Sequence, residues 1–170
     1  MEQDAGTRGA EIDLSDQNEG KELFMSNVKK ELIDMLNQAL KLEHAARIQY
    51  MTHAQIISGQ GAEKLIERIE EIASDEKKHE EKFRDLIAGY LGGVPTMDIN
   101  ERHPAENLPQ ILDVNLKDEK TAIDFYKKIY KKVTESKEQL PYEFERLEHE
   151  IRHVILDEEE HVSELGLLKG

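Results

Sequence analysis

Apolar side chains recur through most of the chain at the alternating three- and four-residue spacing of helices that bury one face in a shared core. The pattern starts at Ser26, and glycine or proline residues interrupt it at three points. Because the helices between these breaks are long and similar in length, the sequence predicts an all-α bundle. The predicted helices cover residues 26–58, 62–91, 107–135 and 141–168.

The lengths of the three connections indicate how these helices are arranged. Links of a few residues join the first helix to the second and the third to the fourth, so each of these pairs must be antiparallel. The link of about 15 residues between helices 2 and 3 spans ~50 Å at ~3.3 Å per residue, enough to cross the full length of the bundle. We therefore expect an antiparallel four-helix bundle with one long crossover between helices 2 and 3.

The first 20 residues have a different composition from the rest of the chain. They are polar and contain six acidic residues, with Arg8 as the one basic residue. Such a segment buries too little apolar surface to offset the entropy lost on ordering. The sequence therefore predicts a flexible acidic arm over residues 1–20 and one folded domain over residues 21–170.

In each helix, the positions at three- and four-residue spacing form a row that faces the core, and this core row runs as far as Tyr90 in helix 2 and Leu168 in helix 4. The rows are apolar or aromatic except where glutamates and histidines interrupt them. Each row contains one glutamate, and in helices 2 and 4 a histidine follows it three residues later on the same helix face. A buried carboxylate without a partner costs several kcal/mol, so four of them in one core need a compensating charge. The interrupting residues are Glu43, Glu76, His79, Glu119, Glu158 and His161.

This set of side chains is suited to two divalent metal ions. Carboxylate oxygen and imidazole nitrogen are ligands for iron, manganese and zinc, and the chain has no cysteine to supply a thiolate. Each Glu-x-x-His pair is placed to present both groups to one ion. Glu43 and Glu119 would complete the two sites, with Glu76 and Glu158 available as bridges. The spacing does not distinguish iron from manganese, because both accept these ligands.

Charge and composition exclude several other classes of protein. The formal charge of −14 argues against a nucleic-acid partner, because phosphate binding depends on lysine and arginine. The lack of cysteine removes disulfide frameworks, iron–sulfur clusters and cysteine nucleophiles. No apolar run approaches the ~20 residues of a membrane helix, and the N-terminus lacks the pattern of a secretory signal. We therefore expect a cytoplasmic protein with no membrane partner.

The segments around the four glutamates are LEHAARIQYMTHA, DEKKH, LKDEKTAI and LDEEEH. Together they resemble the ligand motifs of the ferritin-like di-iron superfamily, most closely those of bacterioferritin and Dps-like proteins, over about residues 27–165. The resemblance implies a ferroxidase that binds two Fe(II) per subunit at these six residues. It implies oxidation by O₂ or H₂O₂ and storage of Fe(III) in an oligomeric shell. It also implies that Tyr50 lies beside the centre, and we expect Asp75 and Asp157 to orient the two imidazoles.

Departures from the family pattern narrow these expectations. Lys77 stands where haem-binding bacterioferritins have an axial methionine, so haem is not expected. The chain ends at Gly170, without the fifth helix of a 24-subunit shell, which favours a 12-subunit shell over a 24-mer or a dimer. It also lacks the cysteine pair that thioferritins of the Dps-like group carry near the site.

Three alternatives stay open at the level of sequence. The same centre would serve a di-iron or di-manganese oxidase, oxygenase or peroxidase that acts on an organic substrate and stores nothing. The bundle could instead be structural, with metal only stabilising it. Finally, residues 149–153 match the zinc-peptidase motif H-E-x-x-H, although His149 and His153 fall beside the core row and no strand is predicted to hold a peptide.

Helix 3 carries lysines and tyrosines that also allow two interpretations. The lysines within residues 127–132 are expected on a solvated face, and a basic patch for DNA is the weaker interpretation in an acidic protein. Tyr126 and Tyr130 fall in the core row and are expected to pack there instead of relaying electrons.

Tyr50 of helix 1, two turns after Glu43 on the same face, has three possible roles. It can donate a hydrogen bond to a ligand, donate an electron, or only pack.

Overall fold

Four long helices make up most of the structure, a computed structural model that describes residues 14–169, with side chains from Met25 onward. Those residues contain no strand, so the all-α prediction is confirmed, and none of their helices is both long and apolar enough to cross a membrane. The helices are α1 Leu14–Ile56, α2 Ala62–Asp85, α3 Leu108–Glu135 and α4 Phe144–Lys169, with a π-helical turn Leu86–Tyr90 after α2 and a 3₁₀ turn Lys137–Gln139 before α4.

The helices pair as the connection lengths predict. α1 packs along α2, α3 packs along α4, and α1 also packs against α3. Asn107 begins α3 as expected, because its Oδ1 accepts a hydrogen bond from the backbone N–H of Gln110 at 3.1 Å and so satisfies one of the free N–H groups of the first turn. The prediction of a four-helix bundle with one long crossover therefore agrees with the structure.

Some helix ends differ from those predicted. α1 begins at Leu14 and not at Ser26. Residues 14–20, which the sequence assigns to the acidic arm, are therefore helical. Residues 1–13 of that arm lie outside the described part of the chain. Tyr90 and Leu168, which the spacing places in core rows, are 37% and 42% exposed. Both stand in the last turn of their element, where the helical period continues although the bundle no longer covers the side chain.

The crossover leaves the end of α2 through two glycines. Gly92 has a φ of 71°, in the left-handed region that side chains rarely adopt. At Gly93 an added Cβ would come within 2.8 Å of the side chain of Ile33. The glycine pair therefore lets the chain turn sharply and return close to the surface of α1.

Hydrogen bonds then hold the crossover along α1. The Asn37 amide uses both of its ends: Nδ2 donates to the carbonyl of Val94 at 3.1 Å, and Oδ1 accepts from the N–H of Thr96 at 2.7 Å. One turn further along α1, the N–H of Asn100 donates to the carbonyl of Lys41 at 3.1 Å. The crossover and α1 therefore run in the same direction.

A buried polar group joins the crossover to both α1 and α2. His44 Nδ1 donates to the carbonyl of Asp98 at 2.7 Å, and its Nε2 accepts from Arg84 Nη2 at 2.7 Å. Glu80, which is almost fully buried, accepts from Arg84 at 2.7 Å and from Arg47 at 2.5 Å. The buried carboxylate of Glu80 is thus paired with two guanidinium groups, as a buried charge requires.

The apolar core is divided into two clusters of buried side chains along the bundle. One surrounds residues such as Leu36, Phe83 and Val133, and the other surrounds residues such as Ala54, Ile72 and Leu112. Along each helix, the glutamates and histidines predicted as metal ligands fall between the stretches that build these two clusters. The bundle thus has two apolar halves with a polar layer between them.

The contacts of Asn37 predict a measurable contribution to stability. We expect Asn37→Ala to lower the free energy of unfolding by about 1–2 kcal/mol, because two hydrogen bonds to the crossover are lost. Denaturant unfolding of the metal-free protein measures this change. The matched control is Lys30→Ala on the same helix, which removes an exposed pair with Asp34 and should cost no more than about 0.5 kcal/mol. Equal losses in both variants would contradict the prediction.

Candidate metal centre

One buried polar cluster lies between the two apolar halves, and every helix contributes to it. α1 and α3 each supply one glutamate, and α2 and α4 each supply a glutamate with a histidine one turn later. The structure brings together all six side chains that the sequence predicts as metal ligands, and none is more than 4% exposed. The cluster consists of Glu43, Glu76, His79, Glu119, Glu158 and His161.

His79 faces the first of two ligand groups. Its Nδ1 lies 3.7 Å from Glu43 Oε2, 3.5 Å from Glu76 Oε2 and 3.2 Å from Glu158 Oε1. One ligand atom from each of these four residues falls within 4.8 Å of the others. Two ligands on opposite sides of one ion at ~2.1 Å stand ~4.2 Å apart, so this group has the size of a single coordination sphere.

His161 faces the second group, which mirrors the first. Its Nδ1 lies 2.9 Å from Glu158 Oε2, 3.5 Å from Glu76 Oε1 and 3.8 Å from Glu119 Oε1. Glu76 and Glu158 belong to both groups, and each turns one oxygen toward one histidine and its other oxygen toward the other. This geometry suits two adjacent ions bridged by these glutamates, with Glu43 and Glu119 at the outer sides.

The far nitrogen of each imidazole faces an aspartate of the opposite helix. His79 Nε2 donates to Asp157 Oδ2 at 3.2 Å, and His161 Nε2 lies 3.6 Å from Asp75 Oδ2. The hydrogen bond from His79, with help from Lys82, lowers the pKa of Asp157 to about 2, so this side chain remains an acceptor at neutral pH. The hydrogen bond to Asp157 fixes the tautomer of His79 and turns its Nδ1 toward the cluster, which is the orienting role expected of that aspartate. Asp75 lies beside His161 at a distance beyond a direct hydrogen bond.

Two buried tyrosines contact the outer glutamates. Tyr50 lies beside the cluster, as expected, and its hydroxyl donates to Glu119 Oε1 on α3. Tyr126 has the reciprocal contact, since its hydroxyl donates to Glu43 Oε1 at 2.5 Å. The expectation that Tyr126 only packs is therefore incomplete: it packs edge-on against Phe83 and also holds a predicted ligand.

The sequence contains a signal for the role of Tyr126 that the helical pattern alone does not reveal. Tyr50 follows Glu43 by seven positions, and Tyr126 follows Glu119 by the same interval, so each tyrosine lies two turns from a glutamate on the same face. The repeated spacing indicates equivalent places in the two hairpins. Tyr130 has no such place, because its hydroxyl donates to Glu148 near the surface at 2.9 Å.

Burial and neighbouring charge set the protonation of the cluster. Burial, reinforced by repulsion from the shared glutamates, raises the pKa of Glu43 and of Glu119 well above the usual carboxyl range. Burial alone would lower the pKa of an imidazole, but contacts with carboxylates outweigh it: the pKa of His79 rises well above its ordinary value, and that of His161 rises to about 11. The raised pKa values favour protonated side chains, and a cation that binds here competes with those protons.

The donor atoms of the cluster fit divalent transition ions. Both carboxylate oxygens of Glu76 and Nδ1 of His79 are buried without a hydrogen-bond partner, which costs roughly 1–3 kcal/mol per group when nothing else binds them. Oxygen and imidazole nitrogen donors suit iron, manganese and zinc. Two cations, one on each side of Glu76, would together bind both of its carboxylate oxygens and Nδ1 of His79.

The H-E-x-x-H motif lies apart from this cluster. His149 is exposed and His153 half-buried on the surface of α4, with their ring centroids 4.3 Å apart. Glu150, which a peptidase would use as its base, pairs with Arg146 at 3.1 Å. Neither histidine belongs to a group of three or more metal-capable side chains within the described residues, so the geometry gives the peptidase interpretation no support.

The lysines within residues 127–132 lie along the outer face of α3. Lys127 pairs with Glu159 at 2.8 Å, and Lys132 pairs with Glu31 on α1. Because acidic neighbours compensate these charges, the face matches the solvated helix surface that the sequence predicts.

A family model and known proteins match the chain. The model of the ferritin-like domain matches residues 33–168. The chain is similar to the bacterial ferritin of Pseudomonas aeruginosa, with 36% identity over 87 residues, and the matched stretch covers 51% of this chain and 56% of that protein. The match therefore spans only a little over half the length of this relative.

Solved structures share the fold over a larger part of the chain. A ferritin-like, diiron-carboxylate protein from Bacillus anthracis matches with a TM-score of 0.77 and 29% identity, covering 84% of this chain and 98% of that one. A dodecameric thioferritin, the bacterioferritin-related protein from Bacteroides fragilis, matches with a TM-score of 0.68 and 27% identity, covering 81% and 83% of the two chains.

The reciprocal tyrosine contacts predict that Tyr126 supports one of two metal sites. In Tyr126→Phe, Glu43 loses its hydrogen-bond donor, and we expect about tenfold weaker binding of one of two Co²⁺ ions. Calorimetric titration resolves the two binding steps. The control is Tyr130→Phe, which removes a hydroxyl that contacts only Glu148 and should leave both steps unchanged. Unchanged binding in Tyr126→Phe would refute the supporting role.

The raised pKa values predict that metal binding releases protons. The pKa values of two carboxyl groups and two imidazoles are raised, so loading two Zn²⁺ ions should release protons, and binding should strengthen as pH rises. Calorimetry at pH 7 in two buffers of different ionisation enthalpy counts these protons. Binding with no proton release would show that the cluster is already fully deprotonated.

Proposed function

This chain belongs to the ferritin-like family, and we propose that it is a ferroxidase that oxidises Fe(II) to Fe(III). In this proposal each subunit takes two Fe(II) ions, one in each ligand group. The observation that carries the proposal is the pair of four-residue groups that share Glu76 and Glu158. Sharing two carboxylates keeps two redox-active ions adjacent, so that a two-electron oxidant can draw one electron from each.

Electrons and protons balance for either small oxidant. Two Fe(II) ions lose one electron each. An O₂ molecule that gains these two electrons and two protons leaves as H₂O₂, and an H₂O₂ molecule that gains two electrons and two protons gives two water molecules. Both oxidants are therefore compatible with a two-ion centre, and we propose either as the substrate alongside Fe(II).

The protein side chains in this proposal bind and orient. Glu43 and Glu119 bind one ion each at the outer sides, where Tyr126 and Tyr50 hold them in place. Asp157 keeps Nδ1 of His79 facing the ions. Tyr50 is also placed to supply a single electron when only one iron can give one, with its hydroxyl proton passing to Glu119 Oε1, to which it already donates a hydrogen bond.

The space beside the cluster favours small oxidants over organic substrates. A cavity of about 100 Å³ reaches the cluster glutamates between α1 and α3. Sites for organic ligands usually enclose ~300–1,000 Å³, so this cavity admits O₂ or H₂O₂ more readily than an organic molecule. For this reason we place ferroxidase activity ahead of the oxidase, oxygenase or peroxidase alternative.

Storage and assembly form a second part of the proposal. We propose that the subunits form a shell that holds Fe(III), with 12 subunits as in the dodecameric protein from Bacteroides fragilis. Lys77 offers an ammonium group where haem-binding bacterioferritins have an axial methionine, which supports an assembly without haem at this position. The same proposal places the protein in the cytoplasm, whose reducing conditions favour Fe(II).

Anaerobic titration followed by oxidation tests the proposed activity. We expect Fe(II) binding to saturate at about two ions per subunit, and air or H₂O₂ then to produce the near-ultraviolet absorbance of Fe(III). Glu76→Ala and His161→Ala should slow this oxidation at least about 100-fold, because each removes a ligand. Glu81→Ala, an exposed glutamate of the same helix as Glu76, is the control and should keep the wild-type rate. Wild-type rates in the ligand variants would exclude the centre as the site of oxidation.

Sizing the protein in solution tests the shell. A hollow 12-mer that retains Fe(III) supports storage. A dimer that turns over Fe(II) without retaining Fe(III) would support the oxidase alternative, and two bound ions without turnover would support a structural role for the metal.

A further inference from the structure

The cluster is almost fully buried, so cations need a route to it. The cavity between α1, α3 and the crossover has the cluster residues Glu43, Glu76, Glu119 and Glu158 at its inner end, and it reaches the surface at exposed residues of the crossover and α3. We propose that His103 and Asp118 form a docking site for a divalent cation at the mouth of this cavity, and that the amides of Gln49 and Asn115 pass the cation on to Glu119. This inference rests on the proposed function.

The mouth combines one side chain from the crossover with one from α3. His103 Nδ1 lies 2.9 Å from Asp118 Oδ2, and the two side chains are 46% and 32% exposed. Imidazole nitrogen and carboxylate oxygen are the same donor types that the buried cluster offers. Two such donors on an exposed rim suit weak and reversible binding, which transit of a cation requires.

Gln49 and Asn115 form the narrow part of the route. Gln49 Oε1 accepts from the N–H of His103 at 2.6 Å, and Gln49 Nε2 donates to Asp118 Oδ2 and to Asn115 Oδ1, both at 2.9 Å. Asn115 Nδ2 in turn lies 3.2 Å from Nδ1 of buried His53. Burial lowers the pKa of His53, so it stays neutral and can accept from Asn115. The next buried polar group of α3 is Glu119, one turn beyond Asn115.

Charge distinguishes this route from the opposite side of the bundle. No lysine or arginine lines the cavity, whereas Glu101 and Asp118 stand at its outer part. On the α2–α4 side, Lys82 contacts Asp157 at 3.3 Å and Lys78 contacts Asp75 at 2.7 Å. These ammonium groups compensate the two aspartates that contact the histidines, so that side offers an arriving cation no net negative charge. The field therefore favours access from the crossover side.

The rate of Co²⁺ loading tests the proposal independently of oxidation. In stopped-flow absorbance, His103→Gln/Asp118→Asn should slow loading about tenfold while the final stoichiometry stays at the wild-type value. The matched control is His149→Gln/His153→Gln on the surface of α4, which removes two histidines from the other side and should load at the wild-type rate. His103→Gln alone, at an exposed position, should slow loading in the same direction if the double variant does not fold.

The possible outcomes separate the two proposals. If the wild-type protein does not take two Co²⁺ ions, the metal centre of the proposed function fails. If it takes two and the His103/Asp118 variants load at the wild-type rate, only the docking site fails. A lower final stoichiometry in these variants, or slower loading in the α4 control, would also overturn the docking site. Raising the salt concentration should slow the wild-type protein more than the His103/Asp118 variant, because salt screens the charge at the mouth.

Discussion

Four carboxylates and two imidazoles buried in one core cannot all keep their ordinary charge, and the arrangement of the bundle follows from this constraint. Protons on Glu43, Glu119 and the histidines provide one way to balance the cluster, and two divalent ions provide another. Either solution requires six side chains from four helices to meet at one height. The apolar core must therefore be built as two separate halves, one on each side of a polar layer.

The surrounding contacts keep this layer in register. The hydroxyl of Tyr50 on α1 donates to a glutamate of α3, and the hydroxyl of Tyr126 on α3 donates to a glutamate of α1. Asp157 of α4 accepts a hydrogen bond from the imidazole of α2. The crossover adds a further restraint, because hydrogen bonds attach it to α1 from Asn37 to Gln49. Sliding one helix along another would break several of these contacts at once. The polar contacts thus determine how the helices align along one another, while most of the buried side chains lie in the two apolar halves.

Much of this organisation could be read from local patterns. The helical spacing, the capping residue Asn107 and the Glu-x-x-His pairs led to the helix pairing and to the six side chains of the cluster. The contacts that Tyr50 and Tyr126 make with a glutamate of the other helix could not be predicted in this way, because spacing along one helix does not show which neighbouring helix a side chain faces. Tyr126 was expected only to pack. The exposed ends at Tyr90 and Leu168 were misjudged for the opposite reason, since a helical period continues past the point where packing stops.

The contacts between the tyrosines and the glutamates of the other helix also reveal a pattern that the two helix hairpins, α1–α2 and α3–α4, share. Each helix hairpin carries one glutamate with a tyrosine seven positions later, followed on its second helix by Asp-Glu-x-x-His. Each hairpin thus supplies half of the ligands and the groups that steady the ligands of the other half. Two copies of a single hairpin, related by a two-fold axis, would assemble the same set. The ligand layer therefore has an approximate two-fold symmetry between the two hairpins, and the long crossover is the segment that joins them.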